Sequence, residues 1–350
     1  MRKEIENILA LAVNAPSGDN SQPWAFKFVS DQEIKIFNLP KADETLYNFR
    51  QGGSYIGHGA LLENISILSR AKGLGMAISL FPDKDEPNLI AYLAFSEAPP
   101  IKENLAEAIT NRTTNRKPQK LKPLDENFCS EILEFNQGST AKISLNQNYD
   151  DIIKLAKSLS TNEKLILENY HIHKQLFAFI RWSQAEEENK HDGLYIKTLE
   201  LKPPQEATFK LFRHWPIINF LNNFKIANLV AKDTEKVYSA SACYGLITVQ
   251  NDSPKEFVQA GRLFEKIWLT ATKYDINFQP TTALLYLQMK INAGQINEFT
   301  QKQVVEITKA NRAIHDIFNV TKEIPVMLFR MGYGEPPSAK SLKKTPTYLE

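Results

Sequence analysis

Gly59-Ala-Leu61-Leu-Glu63-Asn-Ile65 and Gly261-Arg-Leu263-Phe-Glu265-Lys-Ile267 share the pattern G-x-L-x-E-x-I at an offset of 202 residues. Each copy sits in an apolar run with helical spacing. The offset continues without a gap, pairing Leu74 with Ile276 and Met76 with Phe278. A seven-residue helical pattern can recur by chance, but the same helix-then-strand order downstream argues against chance here. Two copies do not make a solenoid. In a chain of 350 residues, longer than one core usually grows, they read as a fused homodimer whose pseudo-twofold axis passes between equivalent helices.

Working outward, Ile5, Ile8, Leu9 and Ala12 predict a helix that stops near Asn14, because Ala15-Pro-Ser-Gly-Asp-Asn20 is turn chemistry. Strand-like runs follow at Ala25–Val29 and Glu33–Phe37. Gly52, Gly53, Gly57 and Gly59 lead into an apolar helix to about Lys72, with Gly73 as its stop. Met76–Phe81 and Asn88–Phe95 read as strands, the second nearly all apolar and so central. A polar helix is expected over Lys102–Thr110, and another after Pro123 with Asp125 as cap. From Asp150 to about Lys232 the chain reads as helical, broken at His191-Asp-Gly193 and Pro203-Pro204, and Val237–Gln250 as strand. Pro254–Tyr274 and Thr300–Phe318 are helices, and Ile324–Met331 is a strand ending at Gly332-Tyr-Gly334.

Composition narrows the function classes. Lys and Arg number 42 against 40 acidic residues, a net +2 that gives no reason for a nucleic-acid groove or an acidic-membrane surface. Cys129 and Cys243 read as reduced, packed thiols. Acidic residues in the first turn exclude a signal peptide, and no apolar run reaches the roughly 18 residues of a membrane span. A soluble cytoplasmic protein is expected.

Three segments carry polar chemistry. Ala15-Pro-Ser-Gly-Asp-Asn-Ser-Gln-Pro-Trp24 can wrap the polar edge of a planar heterocycle, or simply close a helix onto a strand; on physics alone the turn is the stronger reading. In an extended Arg112-Thr-Thr-Asn-Arg116, residues 112, 114 and 116 point the same way, so two guanidiniums and a hydroxyl could clamp a phosphate. A solvated basic turn fits those residues equally. The tail from Gly332 to Pro346 is either a free basic end or an arm that brings Lys343 or Lys344 to an anion. Other features are set aside. The glycines at 52–59 lack the strand-before-helix context of a dinucleotide fingerprint, His171 and His173 read as surface histidines without metal partners, and Glu186-Glu-Glu188 reads as a solvated face.

Taken together the segments resemble the nitroreductase family, and within it the duplicated single-chain Acg-type branch. The matching stretches are A-P-S-G-D-N-S-Q-P-W at 15–24, G-x-G-A-L-L-E-N at 57–64, R-T-T-N-R at 112–116, A-G-R-L-F-E-K-I-W-L-T-A-T at 260–272 and L-F-R-M-G-Y-G at 328–334. The resemblance implies an α+β, nitroreductase-like fold of two related halves, residues 1–100 and 101–350. Each is an antiparallel-type mixed sheet flanked by helices, and a helical lid is inserted at about 150–232. It implies one FMN between the halves. Arg112, Thr114 and Arg116 would hold its phosphate and ribityl chain, with Lys343 and Lys344 from the tail and Pro16, Ser17, Gly18, Asn20 and Gln22 from the other half. Gln279-Pro280-Thr281-Thr282 stands where the family has P-x-x-G, with Ala283 in the glycine's place. The first half has no R-x-S-x-R before its opening helix, so one complete site and one lost site are expected.

The activity so implied is ping-pong reduction of a small aromatic or quinone-type acceptor, with NAD(P)H as donor. The flavin would do the chemistry, and no side chain is singled out as acid or base. An FMN-sequestering protein whose lid excludes nicotinamide, and a specialised flavin-dependent dehydrogenase, fit the same fold. A monomer with internal pseudo-symmetry, or a weak homodimer, is the expected assembly.

Overall fold

The computed structural model describes residues 1–350. Its first half runs α1 (Arg2–Ala12), β1 (Trp24–Phe28), β2 (Glu33–Asn38), α2 (Gly52–Ala71), β3 (Leu74–Leu80) and β4 (Leu89–Glu97). A four-residue helix α3 (Ala108–Asn111) leads into α4 (Glu126–Glu134) and β5 (Lys142–Asn146). The insert follows as α5 (Tyr149–Leu159), α6 (Thr161–Glu168), α7 (Tyr170–Phe179), β6 (Ile180–Arg181), α8 (Gln184–Lys190), β7 (Leu194–Tyr195), α9 (Pro203–Phe212), α10 (Trp215–Leu221) and α11 (Ile226–Ser239). The chain ends with β8 (Cys243–Val249), α12 (Pro254–Lys273), β9 (Asn277–Pro280), α13 (Ala283–Asn292), α14 (Gln301–Phe318) and β10 (Ile324–Gly332).

The two four-stranded sheets have the orders β1-β2-β4-β3 and β5-β8-β10-β9, antiparallel throughout. Superposing the orders pairs β1 with β5, β2 with β8, β4 with β10 and β3 with β9. The same pairing follows from chain order, with α1 matching α4 and α2 matching α12. The long insert lies between β5 and β8, and α13 and α14 lie between β9 and β10. The fold is thus α+β, with two related sheets. β4 is central in its sheet, as its apolar run requires.

Local chemistry sets the ends of the two paired helices. Gly73 follows α2 at φ 74°, the left-handed position a helix stop wants. Ser253 caps α12 by accepting the Glu256 N–H, with Pro254 in the first turn. α2 and α12 lie against each other, and each half's core borrows from the other's helix. Val258 and Leu269 join the first core, and Ile56 joins the second. A third apolar cluster ties α5 and α6 to α13 and α14, and a fourth, much smaller one holds the insert's far side together.

Several expectations are corrected. Val237–Ser239 is the last turn of α11, because Ala227, Ala231 and Tyr238 bury one helical face and that packing outweighs the local β preference of Val237 and Tyr238. Only Ala108–Asn111 of the segment expected as a polar helix is α-helical, and Ala108 and Ile109 are its buried residues. His173 is buried, its Nε2 2.7 Å from the Phe212 carbonyl oxygen, and is not a surface histidine. Glu187 is buried too, and accepts the Leu342 N–H from the tail. Both cysteines are free. No helix is long and apolar enough to cross a membrane.

Candidate functional site

The loop after α1 is strained and heavily tied. Asp19, Asn20 and Gln22 all take left-handed φ, at 45°, 58° and 53°. Ser17 Oγ accepts the Gln22 N–H at 2.9 Å, and Asn20 Nδ2 donates to Leu342 O at 3.0 Å. The Gln22 amide donates to His191 O at 2.8 Å and accepts the Lys344 N–H at 2.8 Å. The loop therefore stands where the insert and the C-terminal arm meet. Trp24 is buried behind it.

The Arg112–Arg116 segment is extended alongside β9. Thr114 bridges Phe278, and Asn115 N–H donates to Phe278 O at 2.9 Å. Alternation sends the Asn115 side chain the other way, to Glu335 O. Arg112 is buried, lies over the Trp268 ring at 4.2 Å and donates to Asn14 O at 2.6 Å. Its Nε faces Glu265 Oε1 at 3.4 Å without a hydrogen bond's alignment. Burial depresses the Arg112 guanidinium, against the attraction of Glu265. Burial also raises the Glu265 carboxyl to about 7, more than Arg112 lowers it. Arg116 points elsewhere along the same wall, donating to Thr198 O at 2.9 Å.

Lys343 completes the positive centre. Its Nζ donates to Ala15 O and Asn20 Oδ1, both at 2.8 Å. Burial, then repulsion from Arg112, holds its ammonium well below the usual lysine range. One buried and one part-buried cation that destabilise each other make a place where an anion is favoured. Beyond Lys343 the arm adds to the first sheet beside β1, as Phe26 N–H donates to Thr347 O and Leu349 N–H to Phe26 O.

Beside the 112–116 segment β9 ends at Pro280 and α13 begins at Ala283. Arg330 is fully buried on β10 and donates through Nε to Gln279 Oε1 at 2.7 Å. An arginine has only donors, so this contact fixes the amide: its oxygen is taken and its NH2 is the group left for the cavity. Thr281 Oγ1 and Tyr286 OH are buried on this wall without partners.

These elements enclose one cavity of about 1190 Å³. Its wall includes Pro16, Ser17, Gly18 and Asn20, then Arg112, Thr114 and Arg116, then Gln279, Pro280, Thr281 and Thr282, and Lys343. Gln22 and Lys344 lie outside it, the first held by His191 and the arm, the second paired with Asp192 at 2.7 Å. Sequence reasoning did not single out Lys340, Asp19, Asp43 or Glu163, which also line the cavity. Burial, then Asp43, raises Asp19 to about 7, against Arg116. Burial likewise raises Glu163 to about 7. Asp19 and Lys340 flank residues that were singled out and could have been read with them. Nothing local marks Glu163, which reaches the site only through the fold of the insert. No cluster of three potential metal ligands exists anywhere in the chain.

No family profile matches the chain. It is 29% identical over 195 residues, 54% of its length, to the "Putative NAD(P)H nitroreductase acg" of Mycobacterium tuberculosis, covering 58% of that protein. It is 20% identical over 97% of its length to an uncharacterized protein of the same organism, covering 47% of it. The chain thus spans about half the length of these curated relatives. Among solved structures, a Bacteroides fragilis nitroreductase with bound FMN matches at 12% identity and TM-score 0.36, over 70% of this chain and 98% of that one. NfnB of Mycobacterium smegmatis in complex with NADPH matches at 12% and 0.36, over 66% and 88%. The chain is thus a sequence relative of that Mycobacterium tuberculosis protein over just over half of its own length.

Proposed function

We propose that this chain binds one FMN in the cavity and acts as a nitroreductase-like oxidoreductase, taking electrons from NAD(P)H and passing them in a ping-pong cycle to a small aromatic or quinone-type acceptor. The observation that carries the reading is the pairing of buried Arg112 with part-buried Lys343, two cations beside one another at the meeting of the 15–20 loop, the 112–116 segment and the C-terminal arm. Forked guanidinium and ammonium donors fit a phosphate. The donor set extends from them along a wall with unpartnered buried hydroxyls at Thr281 and Tyr286, as a polar flavin would require.

In this reading Arg112, Thr114, Arg116 and Lys343 hold the phosphate and ribityl chain. Pro16, Ser17, Gly18 and Asn20 edge the ring system from the first half, and Gln279 to Thr282 from the second. Gln22 and Lys344 hold the loop and arm in place. Bound FMN supplies reversible two-electron chemistry. The chain's own part is to orient it, to present donors such as the Gln279 amide where negative charge develops, and to exclude water with the insert. The halves divide at about residue 100, with the insert at about 150–232.

Anaerobic mixing of the yellow protein with NADH or NADPH tests the reading, with rapid loss of flavin absorbance as the expected result. The insert walls much of the cavity, which favours a second reading, flavin sequestration. Flavin that dithionite reduces and neither nicotinamide does would decide for that. A protein that takes up no FMN overturns both.

A further inference from the structure

The cavity is divided by chemistry according to which part of the chain supplies its wall. The two halves and the arm contribute Ser17, Asp19, Arg112, Arg116, Gln279 and Lys343. The insert contributes mostly apolar side chains, among them Ile166, Leu199, Phe209, Ile226 and Val230. These five are only part-buried and form the cavity-facing edge of the insert's own small apolar cluster. The boundary between the two chemistries runs along helices. On α11 the cavity face passes from Tyr238 through Thr234 and Val230 to Ile226, with Asp233 and Lys236 also on the cavity lining. At 1.5 Å per residue that is about 18 Å. On α6 it passes from Glu163 to Ile166, one turn on.

The volume is larger than one ligand needs. Pockets for a single small molecule run to roughly 1,000 Å³, and the whole cavity exceeds that. A flavin accounts for the cationic, hydroxyl-lined end and gives no reason for a greasy channel beyond it. Apolar side chains facing solvent-sized space are stabilised by an apolar occupant.

We infer that the insert compartment is the acceptor site, and that it takes an uncharged quinone-type molecule with an alkyl tail, its carbonyl end at Glu163 and Tyr238 and its tail along α11 toward Ile226. This rests on the FMN reading above. The polar end is already assembled: Tyr238 OH donates to Glu163 Oε1 at 3.2 Å, and Glu163 Oε2 has no partner. Asn162, the neighbour of Glu163, accepts from Tyr47 OH at 2.9 Å on the same wall. A carboxyl with one free oxygen, protonated, can donate to a carbonyl oxygen. Arg116 and Arg330, the cations that act on Tyr238, are held by Thr198 O and Gln279 Oε1, so a carboxylate head would meet Glu163 without a free counter-charge.

The test uses protein with its FMN content measured first. Dissociation constants are determined by calorimetry for a series of 2-alkyl-1,4-naphthoquinones from methyl to dodecyl. Burying each added methylene should tighten binding about fourfold, until the compartment is full and the series levels off. Val230→Trp and Ile226→Trp should flatten the series while leaving the methyl compound within about twofold and the FMN content unchanged. Affinity independent of tail length, or a dependence untouched in whichever of the two variants retains FMN, overturns the proposal. So does dodecanoate binding as tightly as the dodecyl quinone. Protein that holds no FMN defeats the functional reading itself, whereas a flat series on FMN-loaded protein defeats only this inference.

Discussion

Gly59 and Gly261, the first residues of the two repeat copies, face each other where α2 crosses α12. A Cβ on Gly59 would stand 2.0 Å from the Val258 carbonyl oxygen, and one on Gly261 would stand 2.1 Å from that of Ile56. The contact is reciprocal, as a twofold axis between equivalent helices demands. The following acidic pair breaks that symmetry. Glu63 accepts from Arg262 at 2.9 Å, whereas its counterpart Glu265 faces Arg112. The crossing is shared by both halves, and the ion pair that reaches the cavity belongs to one.

Gly59→Ala and Gly261→Ala should each destabilise the fold strongly. In an open helix the change would gain up to about 1 kcal/mol, so the sign of the result tests the crossing directly. Contact with a backbone oxygen near 2 Å forces the helices apart, and a loss of about 3 kcal/mol or more is expected by urea denaturation. A neutral or stabilised variant would show that the helices do not meet there.

Arg112 has two separable roles. Arg112→Ala should abolish FMN retention and cost about 1–3 kcal/mol at pH 7, because Asn14 O loses its donor while Glu265, already raised to about 7, protonates. The loss should deepen as pH rises above 7, and adding Glu265→Gln should remove that pH dependence without restoring FMN retention. Thermal melts and released-flavin absorbance read the two effects independently. Recovery of both together would mean that Arg112 does not touch the cofactor.

The division between what the sequence shows and what it hides follows range. The Gly59 and Gly261 copies, the turn at 15–24 and the extended backbone at 112–116 are local patterns, legible because a few neighbouring residues determine them, whereas Arg116 turns to Thr198 O in the insert and does not converge with Arg112. Glu187 looks in sequence like part of a solvated acidic run because its partner, the Leu342 N–H, lies 155 residues away. His173 looks like a surface histidine for the same reason, since its partner Phe212 comes from another helix. β5 and α13 are short, and went unassigned. The apolar edge formed by Phe209, Ile226 and Val230 looks in sequence like ordinary amphipathic helix, and only the fold of the insert turns it toward the cavity.

Glu163 should make stability depend on pH in a predictable direction. Its carboxyl titrates at about 7 in the fold against 4.5 in the unfolded chain, so the folded state binds the extra proton between those values. Its contribution is therefore full below about pH 4.5 and is lost as pH rises to about 7. Glu163→Gln should melt close to the parent at pH 4.5 and above it at pH 8. The difference between the two melting curves isolates this one group. A difference that does not change with pH would place the carboxyl in water instead.

The arm offers a comparison between adjacent lysines. Lys343 Nζ donates to Ala15 O and Asn20 Oδ1 and lines the cavity, whereas Lys344 Nζ meets Asp192 away from it, although both residues are part-buried. Lys343→Ala should weaken FMN binding at least tenfold, since a charge-assisted contact in a desolvated site is worth about 1.5–3 kcal/mol. Lys344→Ala should change it by less than about fivefold, because exposed ion pairs contribute about 1 kcal/mol or less. Deleting Thr345–Glu350 removes neither lysine but removes the hydrogen bonds beside Phe26 and the Tyr348 ring 5.8 Å from Phe28. If the arm acts by holding Lys343 in place, the deletion should weaken FMN binding in the parent and add little to Lys343→Ala. Additive losses in that double-mutant cycle would mean that the arm and the lysine act separately.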